Sequence, residues 1–399
     1  MQDHNNYLLN VYSRLPINFT HGQGVWLFDQ NSNRYLDLIS GLGVSILGHN
    51  HPAIISTIYQ QASKLIHSSN MVQINQQEQL AKLLVELFEQ PAKVFFNNSG
   101  SEAIETALKL TRLYANHKNI NNPKIVVMER AYHGRTIAAL SASDNKDIQQ
   151  GFEPLLDCFI RVALNDITAI QNLTKSPEAN NIVAVLLEPI QGEGGIRIAD
   201  LNYLTAIREI CTIHNWIMIL DEIQSGVGRT GKFFCFQHYN IKPDVVTIAK
   251  GLANGVPIAA CIISEPLADL FKPKSHGSTF GGNPLACSTA ITTIKSILDN
   301  NLYEKIIING EYFLQSLKIK LASNKNIIDI RGKGLMIGIE LNTPCQELVA
   351  IALKNELFIN VTRQYIIRLL PPLIIEKSEI DYALEKLVLI INKFFNNNW

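Results

Sequence analysis

Neither sign of charge prevails in this chain: 35 lysines and arginines stand against 35 aspartates and glutamates, so no overall field draws it to nucleic acid or to an anionic membrane surface. Long apolar runs are missing too. None reaches the length that crosses a bilayer, and Met1-Gln2-Asp3-His4-Asn5-Asn6 lacks the basic and apolar regions of a secretory signal, so a cytoplasmic enzyme with no membrane partner is expected. Cysteine is scarce and scattered. Cys158, Cys211, Cys235, Cys261, Cys287 and Cys345 include no Cys-x-x-Cys pair and read as reduced core residues, with no metal site in prospect. No Gly-x-Gly-x-x-Gly follows an early strand, which argues against a nicotinamide dehydrogenase. Internal repeats are also absent, and only the tail Asn396-Asn397-Asn398-Trp399 reads as frayed. What the composition does supply is core: with 399 residues, 47% of them hydrophobic, the chain can bury a large interior and divide into more than one lobe.

Three apolar runs organise the middle of the chain. Ile182-Val183-Ala184-Val185-Leu186-Leu187 ends in Glu188, Trp216-Ile217-Met218-Ile219-Leu220 ends in Asp221-Glu222, and Val245-Val246-Thr247-Ile248-Ala249 ends in Lys250-Gly251. Such runs, alternating with helical patterns between about residues 93 and 264, predict an α/β fold with a mostly parallel sheet covered by helices on both faces. Acid, acid and amine then meet at one edge of that sheet, where such folds open their ligand crevice. Partial desolvation there lowers the pKa of an amine, which is how a Schiff-base lysine is built. A hairpin at residues 25–38 precedes this region, followed by amphipathic stretches at about 52–67 and 77–88. A long helix near 303–321, short strands at 327–330, 335–341 and 366–370, and helices near 346–355 and 377–395 predict a smaller α+β lobe.

Several residues in this frame carry chemistry. Asn97-Asn98-Ser99-Gly100-Ser101-Glu102-Ala103 lies between a strand and a helix, so it reads either as an anion cradle of free N–H groups and hydroxyls or as a plain N-cap. Tyr132-His133-Gly134-Arg135-Thr136 sets an aromatic face beside a guanidinium, suited to stacking a planar ring and clamping a carboxylate, though a surface loop explains it nearly as well. Asp221, closing a buried run, needs a cationic partner or hydrogen bonds to stay charged, and a protonated pyridine nitrogen would serve. Gln224, read as one helical turn on, either bonds a ring substituent or faces water at a helix start.

Aldehyde-binding lysine, carboxylate for a ring nitrogen, phosphate cradle, stacking aromatic and arginines are together what pyridoxal phosphate requires. The chain resembles the class III aminotransferases of the fold-type-I pyridoxal-phosphate superfamily over nearly its whole length. The matching runs are Gly48-His49-Asn50-His51-Pro52, Asn98 to Ala103, Tyr132 to Thr136, Glu188-Pro189-Ile190-Gln191-Gly192-Glu193-Gly194-Gly195, the stretch from Asp221 to Gly231, Lys250, and His276-Gly277-Ser278-Thr279-Phe280-Gly281-Gly282-Asn283-Pro284. The resemblance implies a large cofactor-binding domain over 51–285, a small C-terminal domain over 286–399, and residues 1–50 packing with the small lobe. It implies that Lys250 bonds pyridoxal 5′-phosphate, that Asp221 holds the ring nitrogen protonated, and that Gln224 meets the ring hydroxyl. Ser99, Gly100 and Ser101 would hold the phosphate, Tyr132 would stack on the ring, and Glu188 would support the ring-side network. Thr279 would reach the phosphate of a neighbouring subunit, making the enzyme a homodimer with shared sites. Tyr132, Ser101 and Phe280 replace the usual phenylalanine, threonine and tyrosine, and all three preserve size or function.

For substrate, Arg135 resembles the clamp for the donor's α-carboxylate, and Arg368 the residue that binds the α-carboxylate of glutamate, with Ser278 also on the substrate side. Glu193 resembles a gate that pairs with Arg368 while the longer donor is bound and releases it for 2-oxoglutarate. Leu42 stands where ornithine δ-aminotransferases carry a tyrosine, and an apolar residue there suits an acylated α-nitrogen. With Ser69-Asn70, it points to the acetylornithine branch: transfer of the terminal amino group of N2-acetylornithine to 2-oxoglutarate, giving glutamate, in arginine biosynthesis. N-succinyl-diaminopimelate is a possible further donor. The rival readings are transamination of ornithine, succinylornithine or 4-aminobutyrate and, more remotely, a non-catalytic regulatory protein on the same fold.

Overall fold

The computed structural model describes residues 7–396; the polar start at 1–6 and the last three residues of the tail lie outside the described residues. Its centre is a seven-stranded sheet in the spatial order Ala92–Asn97, Ala259–Ser264, Val245–Ile248, Ile217–Asp221, Ile182–Leu187, Lys124–Met128, Phe159–Val162. All run parallel except Ala259–Ser264, which is antiparallel to both its neighbours. The three apolar runs form adjacent strands near the middle, and every residue of Ile182–Leu187, Ile217–Asp221 and Val245–Ile248 is buried. Continuous hydrophobicity rather than alternation is what a strand covered on both faces requires. Because these strands are parallel, Glu188, Asp221 and Lys250 all emerge at the same end.

The rest of the chain forms two four-stranded sheets and their helices. One joins Ile327–Lys333, Met336–Leu341, Ile366–Leu369 and Asn360–Thr362 in antiparallel register, with the helices Leu302–Leu321 and Lys377–Asn396 packed together beside it. The other joins Phe19–Gln23, Trp26–Asp29 and Arg34–Asp37 to Leu357–Phe358, so the N-terminal hairpin is completed by a strand from the far end of the sequence.

Three features differ from the sequence expectation. The segment after Pro52 is helical only over Pro52–Ala62; just past its end the Lys64 N–H bonds Gln61 O, three residues back where a continuing helix would reach four. A sixteen-residue helix, Pro284–Asp299, was not expected at all. Gln224 is not at a helix start: Ile223 to Gly228 form consecutive turns, and Gln224 is buried rather than facing water.

Candidate active site

The strand Val245–Ile248 delivers Lys250 with a left-handed backbone, φ 44°, a conformation that a residue with a side chain keeps only when its surroundings over-determine it. Burial drives the pKa of its amine below that of an ordinary lysine; Glu193, Asp221 and Glu188 oppose that shift and Arg368 reinforces it.

At the end of the adjacent strand, Asp221 is 4% exposed. Its Oδ2 lies 2.7 Å from His133 Nδ1, and Oδ1 accepts the N–H of Ile223 at 3.0 Å. Asp221 offers acceptors, so His133 donates from Nδ1, which leaves its buried Nε2 without a partner among the described residues. His133 is the site residue that sequence reasoning passed over, although it lies inside the Tyr132–Thr136 run. Glu188 accepts the N–H of Tyr132 through Oε1 and of Gly192 through Oε2, both at 3.0 Å, and so ties two loops to one strand end. Burial, with the nearby Asp221 charge, pushes its carboxyl up to about 7.

The helix Gly100–His117 begins beside these groups. Ser99 Oγ accepts from Glu102 N at 3.3 Å and the Glu102 carboxylate accepts from Ser99 N at 3.2 Å, a reciprocal capping box. The N-cap reading is therefore realised in the fold. It uses the amide of Glu102 but not those of Gly100 and Ser101, which stay available to an anion, so capping and cradle coexist.

Ser99, Gly100, Ser101, Tyr132, Glu188, Glu193, Asp221, Gln224 and Lys250 line one cavity of about 330 Å³. Tyr132 and Glu193 also line a second, of about 370 Å³, together with Arg135, Thr362 and Arg363. Arg368 is 1% exposed and donates to Glu193 Oε1 at 2.6 Å, to Gln224 Oε1 at 3.3 Å and to Asn360 Oδ1 at 2.8 and 3.1 Å. Burial pushes the Glu193 carboxyl up, but the Arg368 guanidinium prevails and holds it below the usual range. Leu42, Ser278 and Thr279 are not among the lining residues of either cavity. Leu42 is 39% exposed, Thr279 is exposed, and Ser278 Oγ receives Asn98 Nδ2 at 3.2 Å.

Residues 8–391 match the family model described as aminotransferase class III. The chain is a class III aminotransferase. It is 46% identical to the acetylornithine aminotransferase of Nitrosomonas europaea, over 98% of this chain and 99% of that one. Among solved structures, the ornithine aminotransferase of Toxoplasma gondii superposes with a TM-score of 0.94 at 31% identity, covering 98% of this chain and 94% of the other. The N-acetylornithine aminotransferase of Stenotrophomonas maltophilia superposes at 0.84 with 28% identity, covering 97% and 98%.

Class III aminotransferases use pyridoxal 5′-phosphate, and the cavity fits it. A part-buried amine and a buried carboxylate stand at the ends of adjacent strands, and a helix N-terminus opens into the same cavity. The helix start packs directly against the turn that follows Asp221: a Cβ at Gly100 would lie 2.9 Å from Ile223 Cδ1 and would have to push that side chain aside.

Proposed function

We propose that this aminotransferase moves the terminal amino group of N2-acetylornithine to 2-oxoglutarate, forming glutamate and serving arginine biosynthesis, as a cytoplasmic homodimer. The observation that carries the chemistry is the single cavity joining Lys250, Asp221 and the start of the 100–117 helix. The donor and acceptor rest on the high identity to acetylornithine aminotransferases across the whole chain.

Pyridoxal phosphate, when bound, supplies the aldehyde that takes up the amino group and a ring that withdraws electrons from the reacting carbon. Ser99, Gly100 and Ser101 would hold its phosphate, Tyr132 its ring face, Gln224 its hydroxyl, and the Asp221 carboxylate would keep a proton on the ring nitrogen. His133 in turn orients Asp221. The Lys250 amine, its pKa depressed by burial, would serve as the base that takes the proton from the donor carbon bearing the transferred amino group and then as the acid that gives it back. Arg135 would clamp the donor's α-carboxylate. Glu193 neutralises Arg368 while that donor is bound and gives it up to the α-carboxylate of 2-oxoglutarate or glutamate, so one pocket reads two substrates in turn. N-succinyl-diaminopimelate fits the same scheme as a second donor.

Specificity constants of the loaded enzyme for N2-acetylornithine, ornithine, succinylornithine and 4-aminobutyrate test the assignment. N2-acetylornithine is expected to lead. A clear preference for free ornithine would overturn it, and absence of turnover with every donor would revive the non-catalytic reading.

A further inference from the structure

The strands Asn360–Thr362 and Ile366–Leu369 are joined through Arg363, Gln364 and Tyr365, the first two with left-handed backbone, φ 49° and 66°. Side-chain-bearing residues hold that conformation in succession only where contacts enforce it. Arg363 supplies such contacts. Its Nη2 donates to Arg130 O at 3.1 Å and to Asp144 O at 2.8 Å, and its Nε to Glu193 O at 3.4 Å. All three acceptors are main-chain carbonyls, which suits a fixed fork of donors better than a point charge. Thr362 adds its Oγ1, 2.9 Å from Glu193 O and 3.4 Å from Glu193 Oε2. The same hairpin carries Arg368, whose Nη1 meets Glu193 Oε1 at 2.6 Å. One hairpin thus presents the guanidinium and also grips the main chain of its counter-ion.

We propose that Thr362 and Arg363 are positioning residues that hold Glu193 over Arg368 and so set the balance between the amine donor and the dicarboxylate acceptor. The inference rests on the reading of Glu193 as a gate. A dicarboxylate must displace Glu193 from Arg368 before it binds, whereas the donor benefits from an Arg368 already neutralised. Loosening the grip on Glu193 therefore acts on the two substrates in opposite directions, which general loosening of the hairpin does not.

The test uses the cofactor-loaded enzyme with Arg363→Ala, Arg363→Lys and Thr362→Val. Calorimetry with glutarate, a dicarboxylate that carries no group to transfer, reads the acceptor side without turnover. The single-turnover half-reaction with N2-acetylornithine reads the donor side. For Arg363→Ala the glutarate dissociation constant is expected to fall about fivefold and the donor's half-saturation concentration to rise by a similar factor, with the limiting rate little changed. Thr362→Val should move both in the same senses, and Arg363→Lys, which lacks the fork, should fall between Arg363→Ala and the unaltered enzyme. Glutarate and donor both weakened together, or both unchanged, would refute the proposal. If the unaltered enzyme binds glutarate but ignores N2-acetylornithine, the donor assignment fails, while the glutarate measurements still decide the role of the hairpin.

Discussion

Lys250 serves as both the covalent anchor and the proton carrier in the proposed reaction, so replacing it removes two functions at once. Lys250→Ala is expected to lower the rate of glutamate formation by at least about 10³-fold, measured on protein whose circular dichroism matches the unaltered chain. Glu222, just past the end of the adjacent strand, offers a different test. Both its oxygens accept main-chain N–H groups, from Cys235 at 2.5 Å and Phe236 at 2.7 Å, and burial pushes its carboxyl up to about 8. In the unfolded chain a glutamate titrates near about 4.3. Between those values the folded protein holds a proton that the unfolded chain has released, so this group's stabilising contribution is complete at low pH and is lost as pH rises toward 8. Urea midpoints of the cofactor-free protein should fall from about pH 5 to pH 8, and Glu222→Gln should flatten the slope. An unchanged slope would mean that Glu222 is already ionised in the fold. At this scale the sequence was partly legible. Lys250, Asp221 and Glu188 stood out because each ends an apolar run. His133 did not, because nothing in its immediate neighbours betrays a bond to Asp221, 88 residues away.

Elements were legible in proportion to how one-sided their burial is. The central strands announced themselves as uninterrupted apolar runs, and the helix Lys377–Asn396 as an amphipathic stripe. The helix Pro284–Asp299 was obscured on its buried side: those positions are Pro284, Ala286, Cys287, Thr289, Ala290, Thr293, Ile294 and Ile297, mostly small residues and threonines, which mark an apolar stripe poorly although Ser288, Thr292, Lys295, Ser296 and Asp299 line the other side. A different kind of hidden information sits in the helix Leu302–Leu321. Helix propensity alone says that Gly310→Ala stabilises, by up to about 1 kcal/mol. Packing reverses the sign, because a Cβ at 310 would lie 2.3 Å from the carbonyl oxygen of Gly334, in the turn between the strands Ile327–Lys333 and Met336–Leu341. Main chain cannot yield as a flexible side chain can. Gly310→Ala is expected to destabilise by about 1–3 kcal/mol in denaturant unfolding; a gain in stability would show that helix and turn can separate at little cost.

At the scale of the whole molecule, one exposed surface is unusually apolar. Around the 276–282 loop, Asn70 Nδ2 donates to Ser278 O at 2.9 Å and Gly281 O at 3.1 Å, and the rings of His67 and Phe280 lie 5.3 Å apart. The segments joined in this way expose Leu65, Ile66, Met71, Val72 and Phe280, with Met71 91% exposed. Clustered large apolar side chains on a surface are characteristic of protein–protein, membrane or ligand contacts. Thr279 lies among them, outside the cavity that holds Lys250 of its own chain. That placement suits the proposed homodimer, in which Thr279 would complete the partner's site, and it makes the assignment separable from general stability. Lys250→Ala and Thr279→Ala chains should each be nearly inactive alone. Unfolded together and refolded as an equal mixture, half of the dimers are hybrids, and each hybrid contains one site with both residues intact. About a quarter of the unaltered activity should then return, while sedimentation reports dimers throughout. If Thr279 served its own chain, every site in the mixture would lack one residue or the other, and the mixture would recover nothing.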